Sequence, residues 1–206
     1  MMQANATRPA SSVVVWDLLV RFGHWGLVAA FAVAYLSAEG EENGPDALHV
    51  WSGYVVGTLV LMRVIWGFIG SKHARFGDFV RPIGDCMRYL ADLGRGRARR
   101  YIGHSPAGGL MVLTLLAALT GTVVTGVITY GELGKGPLAS LAQSVSPQGA
   151  GADKEKESAV GEIHEVLANV TLALIGLHVL GVIAASVIHR ESLVAAMITG
   201  RKRAEG

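Results

Sequence analysis

Cysteine is nearly absent from this 206-residue chain, in which Cys86 stands alone. A single thiol excludes an intramolecular disulfide, and without a Cys-x-x-Cys-His motif there is no attachment site for a covalently bound c-type haem. Charge is scarce as well: Asp, Glu, Lys and Arg make up 17% of the residues against 51% that are hydrophobic, and the mean hydropathy is +0.42. That composition is too apolar for an ordinary soluble domain, and the length is small for two domains. No acidic residue lies deep in any long apolar run, which argues against a membrane proton relay, since relays commonly use Asp or Glu.

What the chain has instead is four apolar segments, at about residues 16–37, 48–69, 107–130 and 163–188. Each approaches or exceeds the ~17 residues an α-helix needs to cross a bilayer. The expected fold is all-α, a four-helix transmembrane bundle over residues 13–190, preceded by a disordered segment 1–12 and followed by a tail, 191–206. The first segment also ends in small residues near Ser37 and Ala38, as a secretory signal would. Its charged start at Asp17 and Arg21, and its bulky Trp25 and Tyr35, argue for a retained helix.

The connections differ in charge. Those between the first and second and between the third and fourth segments carry Lys135, Lys154 and Lys156 against ten acids: Glu39, Glu41, Glu42, Asp46, Glu132, Asp153, Glu155, Glu157, Glu162 and Glu165. Nearly all the other basic residues sit in the N-terminal flank, the 70–103 connection and the tail. The positive-inside rule then puts both termini in the cytoplasm and the acidic loops outside, facing the periplasm if the membrane is a bacterial inner membrane. Residues 95–100 form a basic run beside a span, where such clusters set orientation and attract anionic lipid headgroups. Nucleic acid is not expected as a partner. Within the same connection, residues 85–93 suit a short amphipathic helix on the membrane surface.

The stretch 161–190, GEIHEVLANVTLALIGLHVLGVIAASVIHR, holds two histidines, His164 and His178. Their spacing is ~40° short of four whole helical turns and ~21 Å of rise, so both rings leave one face at two depths. An ionisable ring inside a span faces the bundle interior and usually has a function, and neutral imidazole has a nitrogen free for iron. His24 lies at the depth of His178, and His49, at the outer edge of the second helix, lies at the depth of His164. Depth therefore pairs His24 with His178 and His49 with His164. Two bis-histidine haems would leave no open iron position for substrate, a design that favours electron transfer.

Other candidates surround these four. Gly53 and Gly57 form a small-xxx-small pair beside His49, suited either to helix packing or to a flat macrocycle lying against the missing side chains. Arg63 follows His49 at the interval that separates His164 from His178. Its guanidinium can pair with haem propionates or snorkel to the headgroups. His104 opens the third helix in GHSPAGG, where it can bond a propionate or a quinone oxygen. His73 and His189 fall at the same boundary and need no special role. The third helix offers no ligand at depth, only small residues such as Gly108, Gly109, Gly121 and Gly126, and is expected to serve as wall.

RFGHW, HVWSG with Arg63 downstream, GHSPAGG, and HEVLAN followed by GLH resemble the bacterial cytochrome b561 family over nearly the whole chain. The nearest group is similar to the b-type cytochrome subunits that accompany nickel–iron hydrogenases. The resemblance implies a diheme bundle with His24, His49, His164 and His178 as ligands to two non-covalent b haems. It also implies electron-transfer oxidoreduction between the membrane quinone pool and a partner; the acidic outer loops would steer a basic periplasmic one, such as a c-type cytochrome. One alternative is a membrane anchor for a hydrogenase or other dehydrogenase. Another, from a different class, is a haem-free channel or transporter.

Overall fold

The computed structural model describes residues 12–38, 45–145 and 159–204. The expected disorder of residues 1–11 lies outside that range, as do Glu39, Glu41, Glu42 and all the charged residues between positions 153 and 157. A strand β1 (Ser12–Val14) leads into α1 (Leu18–Leu36) and α2 (Ala47–Ile69). Two short helices, α3 (Phe76–Phe79) and α4 (Ile83–Gly94), precede α5 (Pro106–Glu132), α6 (Ala139–Val145) and the long α7 (Ala159–Ile188). The chain closes with α8 (Leu193–Thr199) and strand β2 (Arg201–Arg203).

Four helices, α1, α2, α5 and α7, are long and apolar enough to cross a membrane, and they coincide with the four apolar segments to within a few residues. Each of the first three starts where a side chain satisfies an otherwise unpaired backbone donor. Asp17 accepts from the Val20 amide at 2.9 Å, Asp46 from the Leu48 amide at 3.1 Å, and Ser105 from the Gly108 amide at 3.1 Å. Pro106 follows Ser105 at the first helical position, where its missing N–H costs nothing. Many large apolar side chains on these helices are exposed, Phe22, Leu61 and Leu180 among them, as a lipid-facing surface requires.

The helices are not evenly packed. Helix α1 runs along α2, α2 meets α5, and α5 runs along α7, whereas α7 makes few close backbone approaches to α1 or α2. The apolar core between α2 and α5 is Val56, Val60, Leu116 and Leu119. A methyl group at Gly57 would come within 2.9 Å of Val123 Cγ1, so Gly57 serves the α2–α5 contact. Around Gly53 there is no other atom within 4 Å of such a methyl group. The two glycines of one motif thus face different surroundings, one a packed helix and one open space.

At the basic end of the bundle, which holds β1, β2 and the 70–103 connection, a second core gathers Val15, Trp16, Val20, Ala74 and Ala196. Helix α4 covers the amphipathic segment expected at 85–93. It buries Cys86 and Tyr89 and leaves Ile83, Met87 and Leu90 exposed along one stripe, and the Cys86 thiol donates to the Pro106 carbonyl at 3.3 Å. The two strands pair antiparallel, Ser12 with Arg203 and Val14 with Arg201. Ser12, expected in a disordered segment, is therefore ordered, because the tail returns to supply a partner that three residues alone could not.

Candidate metal centres

Helix α7 carries both His164 and His178. Opposite His178 stands His24 of α1, their ring centroids 6.3 Å apart. Opposite His164 stands His49 of α2, at 6.0 Å. The structure thus brings together the rings that depth pairs in the sequence. A nitrogen–metal bond of about 2 Å, with the centroid roughly 1.1 Å behind the nitrogen, puts two imidazoles on opposite sides of one metal on the order of 6 Å apart, centroid to centroid. Both pairs have that spacing. Among the described residues no cluster of three or more His, Cys, Asp or Glu side chains is placed to hold a metal ion, so two-histidine sites suit a metal that brings its other ligands with it. Iron in a macrocycle does so.

Hydrogen bonds fix the tautomers at the acidic end. His49 Nδ1 lies 2.8 Å from the Ala34 carbonyl, and His164 Nδ1 lies 2.9 Å from the Thr122 carbonyl. A carbonyl only accepts, so each Nδ1 carries the proton and donates it, leaving Nε2 with a free lone pair for a metal. Thr125 Oγ1 stands beside the same His164 nitrogen at 3.3 Å. Gly126 is required there: a methyl group on it would lie 2.8 Å from His164 Cε1 and 3.1 Å from Nδ1. Thr171, fully buried, meets Thr122 at 3.3 Å. Between the levels of His164 and His178 on α7, Asn169 Oδ1 accepts from the Tyr35 hydroxyl at 2.8 Å and ties α1 to α7.

The other pair is differently furnished. His24 Nδ1 is buried without a hydrogen-bond partner among the described residues, and its ring sits edge-on to Trp25 at 5.3 Å. Arg63 Nη1 is likewise buried and unpartnered, and its guanidinium carbon stands 5.5 Å from the centre of the Phe76 ring. His104 Nδ1 is a third such atom, its ring wedged between Trp16 at 4.6 Å and Phe79 at 4.5 Å. Burial pushes the His104 imidazole down to about 3, with the Arg63 and Lys202 charges adding to the effect. It is neutral near pH 7, able to donate one hydrogen bond and accept another. Buried polar atoms without partners are rare enough to need an explanation, and an acidic or carbonyl-bearing cofactor would supply one.

His73 pairs with Asp78 at 2.9 Å, and His189 meets the Tyr89 hydroxyl at 3.4 Å, so both boundary histidines have partners of their own. Thr122, Thr125 and Gly126 escape sequence reasoning. The first acts through its backbone carbonyl, and the glycine differs in no visible way from its neighbours on a small-residue helix.

A family model described as prokaryotic cytochrome b561 matches residues 15–200. The chain belongs to the prokaryotic cytochrome b561 family. It resembles the probable Ni/Fe-hydrogenase B-type cytochrome subunit of Rhizobium leguminosarum bv. viciae, at 22% identity over 93% of this chain and 89% of that protein. The protein of the same description from Bradyrhizobium diazoefficiens is 21% identical over 93% of this chain and 86% of its own length. No solved structure matches. As a member of the cytochrome b561 family the chain is a multi-pass membrane protein of transmembrane electron transfer through haem b. The spacing of its histidine pairs, the open space at Gly53 and the unpartnered polar atoms at the basic end fit that cofactor.

Proposed function

We propose that the chain holds two b haems, one between His49 and His164 and one between His24 and His178, and passes electrons across the bacterial inner membrane. The observation that carries this reading is the pair of ring separations, 6.0 and 6.3 Å, at two levels of one helix. Gly53 borders the space a macrocycle would take, and Arg63 offers its Nη1, unpartnered among the described residues, to the propionates of the inner haem. His104, neutral and half-buried, donates to a propionate or to a quinone oxygen.

Electrons move between the membrane quinone pool at the cytoplasmic end and a periplasmic redox partner, a c-type cytochrome or a dehydrogenase subunit. Both termini lie in the cytoplasm, because the basic residues gather at the end that holds them. The names of the two relatives favour a dehydrogenase-anchoring role as the second reading; a stable complex with such a subunit would mark it.

The test is a reduced-minus-oxidised spectrum with pyridine haemochrome quantitation of the detergent-purified chain and its four single alanine variants. Two haems per chain are expected, with His24→Ala and His178→Ala losing one and His49→Ala and His164→Ala the other. A colourless protein would return the histidines to a haem-free channel or transporter.

A further inference from the structure

The two histidine pairs differ in what stands behind the rings. At the acidic end both imidazoles donate Nδ1–H to backbone carbonyls, His49 to Ala34 and His164 to Thr122, at 2.8 and 2.9 Å. Such outer-shell bonds raise the basicity of a ligating imidazole. A more basic ligand stabilises ferric over ferrous iron, which lowers the reduction potential. At the basic end His24 Nδ1 has no partner among the described residues, so that ring stays a weaker donor to iron.

Fixed charge acts in the same direction. Adding an electron is easier near a cation and harder near an anion. Arg63 is half-buried toward the basic end, its Nη1 without a partner among the described residues, whereas Glu162 and Glu165 flank His164 along the sequence and are exposed at the acidic end with Asp46. Gly126 keeps the first effect in place, since any larger side chain would drive the His164 ring away from the Thr122 carbonyl.

We infer that the site of His49 and His164 is the low-potential haem centre and that of His24 and His178 the high-potential one, with Gly126 and the Thr122 carbonyl positioning His164 so as to set the difference. This rests on the two-haem reading above. One electron placed on the chain therefore settles at the basic end.

The experiment is an anaerobic potentiometric titration of the full chain in detergent. Two components are expected, separated by at least tenfold in equilibrium constant, or about 59 mV for one electron. His49→Ala should abolish the lower component and His24→Ala the upper. Gly126→Ala should keep its haems and raise the lower component alone, narrowing the gap, while Arg63→Gln should depress the upper component alone. Loss of the lower component in His24→Ala, coincident components, or equal shifts of both in Gly126→Ala would overturn the ordering. If Gly126→Ala does not accumulate, the assignment by the two histidine variants still decides it. Fewer than two haems in the unaltered chain would refute the two-haem reading itself, and the ordering with it.

Discussion

Glu191 is the residue whose loss should open the basic end without touching the spans. Its carboxylate accepts from Arg100 Nη2 at 2.8 Å and Nε at 3.1 Å, and from the Arg203 amide at 3.1 Å. Arg100 Nη2 also donates to the Arg203 carbonyl at 2.6 Å. The side chains of Arg100 and Glu191 are 16% and 7% exposed, so solvent screens the pair little. Replacing one partner of a buried ion pair costs about 3–5 kcal/mol, because the other charge stays behind unpaired, and the residual exposure here points to about 3 kcal/mol. Each ~1.4 kcal/mol is tenfold, so Glu191→Gln should reduce protection of the β1–β2 ladder roughly a hundredfold.

Hydrogen exchange followed by mass spectrometry in detergent reads this directly. Peptides covering residues 12–16 and 200–204 should lose protection together, while the interiors of α2 and α5 stay as they were. Acid should imitate the substitution. Burial alone would raise the Glu191 carboxyl, but the Arg100 hydrogen bond and the Arg203 amide outweigh it and hold the group below its ordinary 4.5. A carboxyl lowered in the folded state stabilises fully above its unfolded value and loses that contribution as pH falls through the folded one. The ladder of the unaltered chain should therefore loosen below about pH 4.5, and that of Glu191→Gln should show no such acid step. Equal protection in the two chains at neutral pH would refute the reasoning.

Two further outcomes are expected. A methyl group at Gly109 would lie 2.6 Å from the Phe79 carbonyl oxygen, so Gly109→Ala should lower stability by about 1–3 kcal/mol through overpacking, measured as a lower thermal midpoint in detergent with the haem band as probe. The acidic connections, with three basic residues against ten acids, should steer a basic partner, and association with a cationic c-type cytochrome should weaken as salt shortens the screening length to about 10 Å at 0.1 M; binding that ignores salt would exclude this charge match.

The legible part of the molecule was periodic or cumulative. Four apolar segments had to become membrane helices because only a helix satisfies its own backbone in hydrocarbon. The fixed rise of a helix gave His164 and His178 two depths on one face, which sufficed to match them with His49 and His24. Even the surface helix α4 was visible as an amphipathic segment. The illegible part depends on contacts between distant backbones. The carbonyls of Ala34 and Thr122 are common to every residue type, so no letter marks them as partners of His49 and His164. Gly126 is one of 27 glycines, and only the approach of α7 to α5 shows that a side chain there would meet the His164 ring. The pairing of Ser12–Val14 with Arg201–Arg203 joins the two ends of the chain through strands too short to show alternation. Sequence alone determined which helices form and at what depth their histidines lie, because those follow from local geometry. Tertiary structure decided which nitrogen of His49 and of His164 is free and which end of the bundle leaves His24 Nδ1 and Arg63 Nη1 without hydrogen-bond partners among the described residues, because a hydrogen bond exists only once both of its atoms have been brought together.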